Sequence, residues 1–379
     1  MMEEQQLANN IKQEALRLGF SLAGICAPGE MGSYGQYQAW VEAGLHADMD
    51  YLARSPQRER RRDVREIMPE CRSVLVLAAP YDRPGTDTVK GAGLTAAYAW
   101  GQDYHDVLPE RLDAIVAFIE ELAGRSVAHR SYTDTGPILE RELAQRAGLG
   151  WIGKNSMLIN PKQGSYFLLA EILLDIELPA DNPLSADHCG TCTKCIDACP
   201  TDCILPERTL DAERCISYLT IENKAEIPIE LRDQIGDWIF GCDICQQVCP
   251  WNERFAPESG DALFRTDGDI VAFGLGDHMT MDATEFASRF KGRPQKRAKR
   301  RGLLRNVAVA MGNQGDSESA SVLGQAILND EDALVRAHSA WALGQIAGDE
   351  ARHFLEAAKR TEKNGTVLTE IELALKEFI

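Results

Sequence analysis

Leu7, Ile11, Ala15 and Leu18 recur every three or four residues, so the chain opens on an amphipathic helix that Gly19 can end. Phe20 to Ala27 follows as a strand candidate. Ser73-Val-Leu-Val-Leu-Ala-Ala79 is an apolar run of strand length, the mark of a central strand. Helical spacing returns at Leu112, Ile115, Val116, Ile119 and Leu122 and stops near Gly124. Val127 to Thr133 predicts another strand, and Ile138 to Ala147 a helix closed by Gly148 or Gly150. Strands near Met157–Ile159 and Tyr166–Ile176 complete a first half of α/β character. The Pro/Asp/Asn-rich stretch 178–183 marks its end.

The tail has a different rhythm. Asn306-Val-Ala-Val-Ala-Met-Gly312-Asn returns approximately as His338-Ser-Ala-Trp-Ala-Leu-Gly344-Gln. Each copy is followed closely by Gly-Asp and a further helical pattern. Alanine and glycine at helical spacing let helices pack closely, and a helix pair repeated about every thirty residues is typical of a HEAT-type α-solenoid. Two units are too few to stand alone, so they are expected to stack on the domain before them. A plain helical bundle is the alternative.

Between these parts lie most of the cysteines. Cys189-x-x-Cys192-x-x-Cys195-x-x-x-Cys199-Pro is followed by Cys215 and then by Cys242-x-x-Cys245-x-x-x-Cys249-Pro. This is the spacing of bacterial ferredoxins, where three close thiolates and a distant fourth hold each four-iron cube. In the second run the first cysteine of the pattern would fall at Ile239, and Cys215 is the obvious substitute. One cluster is thus assigned to Cys189, Cys192, Cys195 and Cys249, the other to Cys199, Cys215, Cys242 and Cys245. A disulfide framework suits small secreted chains, and structural zinc lacks the Cys-Pro endings. Cys26, Cys71 and Cys203 read as small buried hydrophobes.

With 379 residues and 44% apolar content, the chain has room for two or three domains with real cores. Its polar, acidic start is no signal peptide, and no stretch approaches the ~18 apolar residues of a membrane span. A soluble cytoplasmic protein is expected. The net charge of −18 argues against a nucleic-acid partner until its distribution is considered. From Phe286 to Gly315 there is no acidic residue but nine Lys and Arg, which leaves −27 for the rest. That contrast is an electrostatic footprint. A solvated surface strip is the alternative.

Clusters move single electrons, so bond chemistry needs another group. Asp134, at a strand-to-helix junction before Pro137, stands where ligands meet an α/β sheet; it is equally placed to cap the helix. Gly148-Leu-Gly150-Trp-Ile-Gly153-Lys154 has the wrong spacing for a Rossmann fingerprint or a P-loop. Trp100-Gly-Gln-Asp-Tyr-His105 is a second polar-aromatic group, whose histidine reads first as structural.

Asp134-Thr-Gly-Pro, Arg141, Ala147-Gly-Leu-Gly-Trp-Ile-Gly-Lys154-Asn155, Tyr98-Ala-Trp-Gly-Gln-Asp-Tyr-His105, the split double-cluster pattern and the HEAT-like tail together resemble the epoxyqueuosine reductase family. The resemblance spans nearly the whole chain. It implies an α+β multidomain protein. A nitroreductase-like, reductive-dehalogenase-like cobalamin domain would cover residues 1–180, and a ferredoxin-like domain with two 4Fe-4S clusters residues 181–255. A basic connecting segment (256–302) and α-helical HEAT-like repeats (303–379) would follow. It implies deoxygenation of epoxyqueuosine to queuosine at the tRNA wobble position, with Asp134 as proton donor. It also implies cobalamin contacts at Arg61, Ala96, Asp134, Asn155, Ser156 and Leu158. Ala96 and Ser156 stand where some relatives carry cysteine, so contact there would run through backbone. Asp103-x-His105 lacks the following glycine of the motif in which histidine replaces cobalamin's lower ligand. The basic run supplies candidate tRNA contacts at Lys296, Arg297, Lys299, Arg300, Arg301 and Arg305. A monomer fed by a protein donor such as ferredoxin or flavodoxin is expected. A reductive dehalogenase would instead carry a twin-arginine export signal and no basic tail. A ferredoxin-like electron-transfer protein would need only the middle domain.

Overall fold

The computed structural model describes residues 2–84, 91–265 and 273–378. The chain divides into two compact units, each assembled from three separate stretches. Met1–Pro84, Gly101–Ala212 and Ile244–Arg265 form the first; Gly85–Trp100, Glu213–Asp243 and Thr266–Ile379 form the second. The cysteine-rich stretch is therefore shared: 181–212 and 244–255 fold with the first unit and 213–243 with the second. Residues 266–272 of the connecting segment lie outside the described residues.

The first unit is built on a four-stranded sheet of β1 (Leu22–Cys26), β2 (Ser73–Pro80), β3 (His129–Tyr132) and β4 (Phe167–Leu174), in the order β1-β2-β4-β3. The predicted central strand is central: β2 lies between β1 and β4, and Val74 to Ala79 are fully buried. Its run is continuously apolar because both faces are covered. Helices α1 (Met2–Arg17) and α2 (Tyr104–Ala123) pack on each other, and α3 (Glu140–Arg146) packs on β1, β2 and β4. Helix α2 starts where the Asp103 side chain accepts from the His105 N–H, and ends at Gly124 in the left-handed region.

Two expectations change. Every pairing in the sheet is antiparallel, so the crevice logic of parallel α/β sheets does not apply to Asp134. The strand predicted near Met157–Ile159 is outside the sheet: Leu158–Ile159 forms a small hairpin with Trp151–Ile152. A Cβ on Gly150 would lie 2.3 Å from the Ile159 carbonyl oxygen. This close approach accounts for that glycine without any bound ligand.

The second unit stacks helices α4 (Lys299–Gln314), α5 (Ser319–Asn329), α6 (Ala333–Ile346), α7 (Gly348–Thr361) and α8 (Gly365–Ala374). Helix α4 packs on α6, α6 on α8, and α5 on both α6 and α7. The repeated glycines sit at these crossings. A Cβ on Gly312 would lie 2.7 Å from the Trp341 ring, and one on Gly344 2.9 Å from the Ala374 Cβ. The first residues of the two repeats both hold the 213–243 stretch. Asn306 donates to the carbonyls of Thr220 and Ile239, and His338 Nε2 accepts the Ile227 N–H. Burial keeps His338 neutral, as that acceptor role requires. The repeats thus stack on part of the cluster segment.

Arg232 and Glu370 tie the same stretch to α8, with side chains 1% and 8% exposed and two hydrogen bonds of 2.7 and 3.0 Å. Glu370→Gln leaves the Arg232 charge buried without its counter-charge. It is expected to cost about 3–5 kcal/mol of unfolding free energy. Denaturant melts check this; a loss below ~1 kcal/mol would mean that Arg232 is satisfied by its remaining neighbours.

Candidate active site, cluster ligands and basic face

Asp134 follows β3 in a tight turn and takes a left-handed conformation, φ 57°, which aspartate tolerates better than most residues. Its side chain is 66% exposed. Its backbone N–H donates to Glu140 Oε1 at 2.7 Å, and its carboxylate accepts from the Tyr104 hydroxyl at 2.9 Å. His105 Nε2 lies 3.8 Å from the same carboxylate, while His105 Nδ1 meets Asp103 at 2.8 Å. Hydrogen bonding to Asp103, then to Asp134, raises the imidazole to about 9, so it is charged at neutral pH. The capping alternative finds no support: Leu139 precedes α3, and no side chain caps that helix.

Behind Asp134 lie two more carboxyls. Burial, with the negative Asp134 beside it, pushes Glu140 up to about 7. Glu171, midway along β4, is fully buried, and neither carboxyl oxygen has a hydrogen-bond partner among the described residues. Burial, then Glu140, lifts it well above the usual carboxylate range, which makes it a neutral acid in the core. Sequence reasoning missed Tyr104 and Glu171 and treated His105 as structural. A charged residue inside the apolar run Tyr166–Ile176 was the one available signal for Glu171.

The segment after α3 links this corner to the cysteines. Arg141 donates to the Ser156 carbonyl. Lys154 Nζ donates to the carbonyls of Gly190 and Cys192 at 2.8 and 2.9 Å, and Asn155 donates to the Cys245 carbonyl at 3.3 Å. Ser156 is also left-handed, φ 63°, with its hydroxyl on the Arg208 carbonyl. Among the other proposed cofactor contacts, Arg61 is buried, donates to the Gln57 carbonyl and lies over the Tyr37 ring. The Leu158 side chain is part of the apolar core. Ala96 is buried in the second unit, its N–H on the Phe240 carbonyl. The side chains of Arg61, Asn155 and Leu158 therefore turn inward, which was not foreseen.

All eleven cysteines stand as free thiols. Cys189, Cys192, Cys195 and Cys249, the first set predicted from spacing, line one cavity of about 240 Å³ beside Trp251 and Lys154. Four thiols around one space are a donor set that fits an iron–sulfur cube. Of the second set, Cys199 and Cys245 belong to the first unit and Cys215 and Cys242 to the second.

The basic run sorts into three kinds. Lys296 and Lys299 are exposed; Arg301, also exposed, lies 4.0 Å from Asp332 and donates to the Lys224 carbonyl. Arg297 is paired with Glu222 at 2.8 Å, and Arg300 with Asp330 at 2.6 Å. Arg305 corrects the sequence reading. It is fully buried, its guanidinium donating to the carbonyls of Leu219, Asn223 and Ala225, so it has no surface to offer a phosphate.

Comparison with known proteins agrees with this architecture. Residues 188–252 match the 4Fe-4S double cluster binding domain, 61–135 the family described as epoxyqueuosine reductase QueG, and 297–376 HEAT repeats. An epoxyqueuosine reductase of Xanthomonas campestris pv. campestris is 40% identical over 345 residues, 89% of this chain and 96% of the relative. That of Pseudomonas aeruginosa is 39% identical over 345 residues, 89% and 94% of the two chains. A crystal structure of epoxyqueuosine reductase with an epoxyqueuosine-modified tRNA-Tyr stem loop superposes with TM-score 0.90 at 30% identity, covering 98% of both chains. One from Bacillus subtilis, solved with an aspartate-bearing catalytic loop swung out of the active site, gives TM-score 0.89 at 29% identity, covering 98% of this chain and 99% of that one. With sequence and fold similar along almost its entire length, this chain belongs to the epoxyqueuosine reductase family.

Proposed function

We propose that the protein reduces epoxyqueuosine to queuosine at the wobble position of tRNA. The observation that carries this is Asp134, an exposed carboxyl held on a left-handed turn beside a charged histidine, in the same compact unit as a cavity lined by four cysteines. Removing the epoxide oxygen to leave an alkene takes two electrons and two protons and releases water. His105, 3.8 Å away and charged at neutral pH, passes a proton to the Asp134 carboxylate, and Asp134 donates it to the departing oxygen; the histidine takes up the second proton from solvent and passes it on by the same route. Tyr104 holds the carboxyl in place between the two events.

Cys189, Cys192, Cys195 and Cys249 would hold one 4Fe-4S cluster and Cys199, Cys215, Cys242 and Cys245 another, which together would supply electrons from a protein donor such as ferredoxin or flavodoxin. The residues around Asp134 also fit cobalamin. Asp134 and Ser156 both stand on left-handed loops, and the Asp134 carboxyl is open to a flat ligand rather than turned into the core. Arg61, Asn155, Ser156 and Leu158, all of the first unit, would hold it, Ser156 through its backbone. When bound, cobalamin supplies a low-potential metal centre that delivers electrons to the epoxide. Among the described residues no helix is long and apolar enough to cross a membrane, consistent with work on tRNA in the cytoplasm. The reading is tested by mass spectrometry of epoxyqueuosine tRNA after incubation with reduced, cobalamin-reconstituted protein. Loss of one oxygen from the modified nucleoside is expected; an unchanged nucleoside would overturn it.

A modified wobble base can be splayed from its loop and read singly, while Lys and Arg hold the phosphates around it. Lys296, Lys299 and Arg301 are the contacts proposed for that role; Arg297 and Arg300 share their charge with acids of the same unit at closer range than Arg301 does with Asp332. Neutralising the three together should flatten the dependence of log affinity on log salt by roughly 0.7–0.9 per lost phosphate contact. Conversion of saturating anticodon stem-loop should change far less. Unaltered affinity and slope for full-length tRNA would return this segment to a solvated strip.

A further inference from the structure

Cys203 belongs to neither predicted cysteine set, and by sequence it is only a small buried residue. Its placement is more specific. Cys199-Pro-Thr-Asp-Cys203 folds as a tight turn, with the Asp202 N–H on the Cys199 carbonyl and Asp202 at φ 51°. The short hairpin of Ile204–Leu205 with Thr209–Leu210 follows, and the Asp211 N–H closes it on the Cys203 carbonyl. This frame sets Cys203 Sγ 3.4 Å from Cys199 Sγ. Thr201 Oγ1 lies 3.6 Å from the same sulfur. Cys203 is 4% exposed and Thr201 0%, so both groups meet Cys199 away from water.

We propose that Cys203 and Thr201 donate hydrogen bonds to the Cys199 thiolate and thereby raise the reduction potential of the cluster that Cys199 holds. The inference rests on the reading of Cys199 as a cluster ligand. An iron-bound thiolate has no proton to give, so in both contacts Cys199 accepts, and the S–H of Cys203 and O–H of Thr201 donate. Reduction adds one electron and no proton, and the added charge spreads partly onto the ligand sulfurs. Donors aimed at a sulfur stabilise that more negative state, and hydrogen bonding to the sulfurs is one of the determinants of cluster potential. Cys203 and Thr201 act through Cys199 and are positioning residues. With these donors the cluster accepts an electron from a protein donor more readily than it would without them.

The test uses the full chain, reconstituted anaerobically with iron and sulfide, and reads iron content together with a redox titration followed by electron paramagnetic resonance. Cys203→Ala should keep the wild-type iron content. The reduced-to-oxidised ratio of one cluster at fixed potential should fall about tenfold, a shift of roughly 59 mV for one electron. The other cluster should not move. Thr201→Val should shift the same cluster in the same direction, and Cys203→Ser, which keeps a donor, should restore it. Unchanged potentials in Cys203→Ala, or a Cys203→Ser shift equal to that of Cys203→Ala, would overturn the proposal. So would a loss of half the iron in Cys203→Ala, which would make Cys203 a ligand. A wild-type chain that takes up fewer than two clusters would defeat the cluster reading itself, and this proposal with it.

Discussion

Asp134→Asn should lower single-turnover conversion of epoxyqueuosine tRNA by the ~10²–10⁴-fold that a lost general acid costs. Asparagine keeps the shape, can accept the Tyr104 hydroxyl, and tolerates the left-handed turn, so cobalamin uptake and the fold should survive. Because Asp134 makes no capping bond, the variant should unfold within ~0.5 kcal/mol of the wild type, where a lost cap costs about 1. The pH profile carries a second signature. His105 is raised to about 9, chiefly by Asp103 and next by Asp134, so it stays protonated below that value and releases its proton above it. Wild-type turnover should therefore hold through neutral pH and decline above about 9. In the variant one of the two raising partners is neutral, and the histidine should titrate at lower pH, as imidazole NMR shifts can report. Wild-type-like single turnover at neutral pH would remove Asp134 from the chemistry.

The other large effect concerns Cys215. The second cysteine run lacks its first ligand, and the structure explains why position 239 cannot supply one. Ile239 is 2% exposed, in a strand of the second unit, and packs closely against Gly93. Cys215 stands at the start of the helix Ile216–Ile221, partly exposed and outside that apolar packing. Cys215→Ala should bring iron down toward one cluster's worth and abolish turnover, since a broken relay delivers no electrons. The cavity of Cys189, Cys192, Cys195 and Cys249 contains no part of the altered residue and should still fill. Full iron and full activity in this variant would show that another side chain completes the set.

What could be read in the sequence follows the range of each signal. Helix α2 and strand β2 were legible because periodicity is local: α2 buries one face at helical spacing, and β2 is buried almost throughout. The direction of β2's neighbours was not, because β1 and β4 come from far along the chain and an apolar run carries no sign of their polarity. The first cysteine set was legible because ligand spacing is fixed by the cube, and all four members line one cavity. The nine-charge run was misleading at Arg305, since charge counts ignore facing. Leu303, Leu304, Asn306 and Val307 around it are all fully buried, and that surrounding pattern held the clue. Asp134 stood out through its motif. Its partners did not, because Tyr104 and His105 begin a helix thirty residues upstream, and only the fold brings them to it.

The interleaving of the two units has a consequence for how this protein is made. Leu94–Thr95 must wait for Trp238–Phe240 to pair with it, and that stretch in turn waits for α4 and α6 to hold it. On a ribosome emitting about 5–20 residues per second, the early segment spends several seconds without its partner. Neither unit can be finished in order of synthesis, as beads on a string would be. Cutting away the repeats would remove partners on which the 213–243 stretch of this chain is built. It would leave the 213–243 stretch, and the two cysteines it carries, without the helices that fix it.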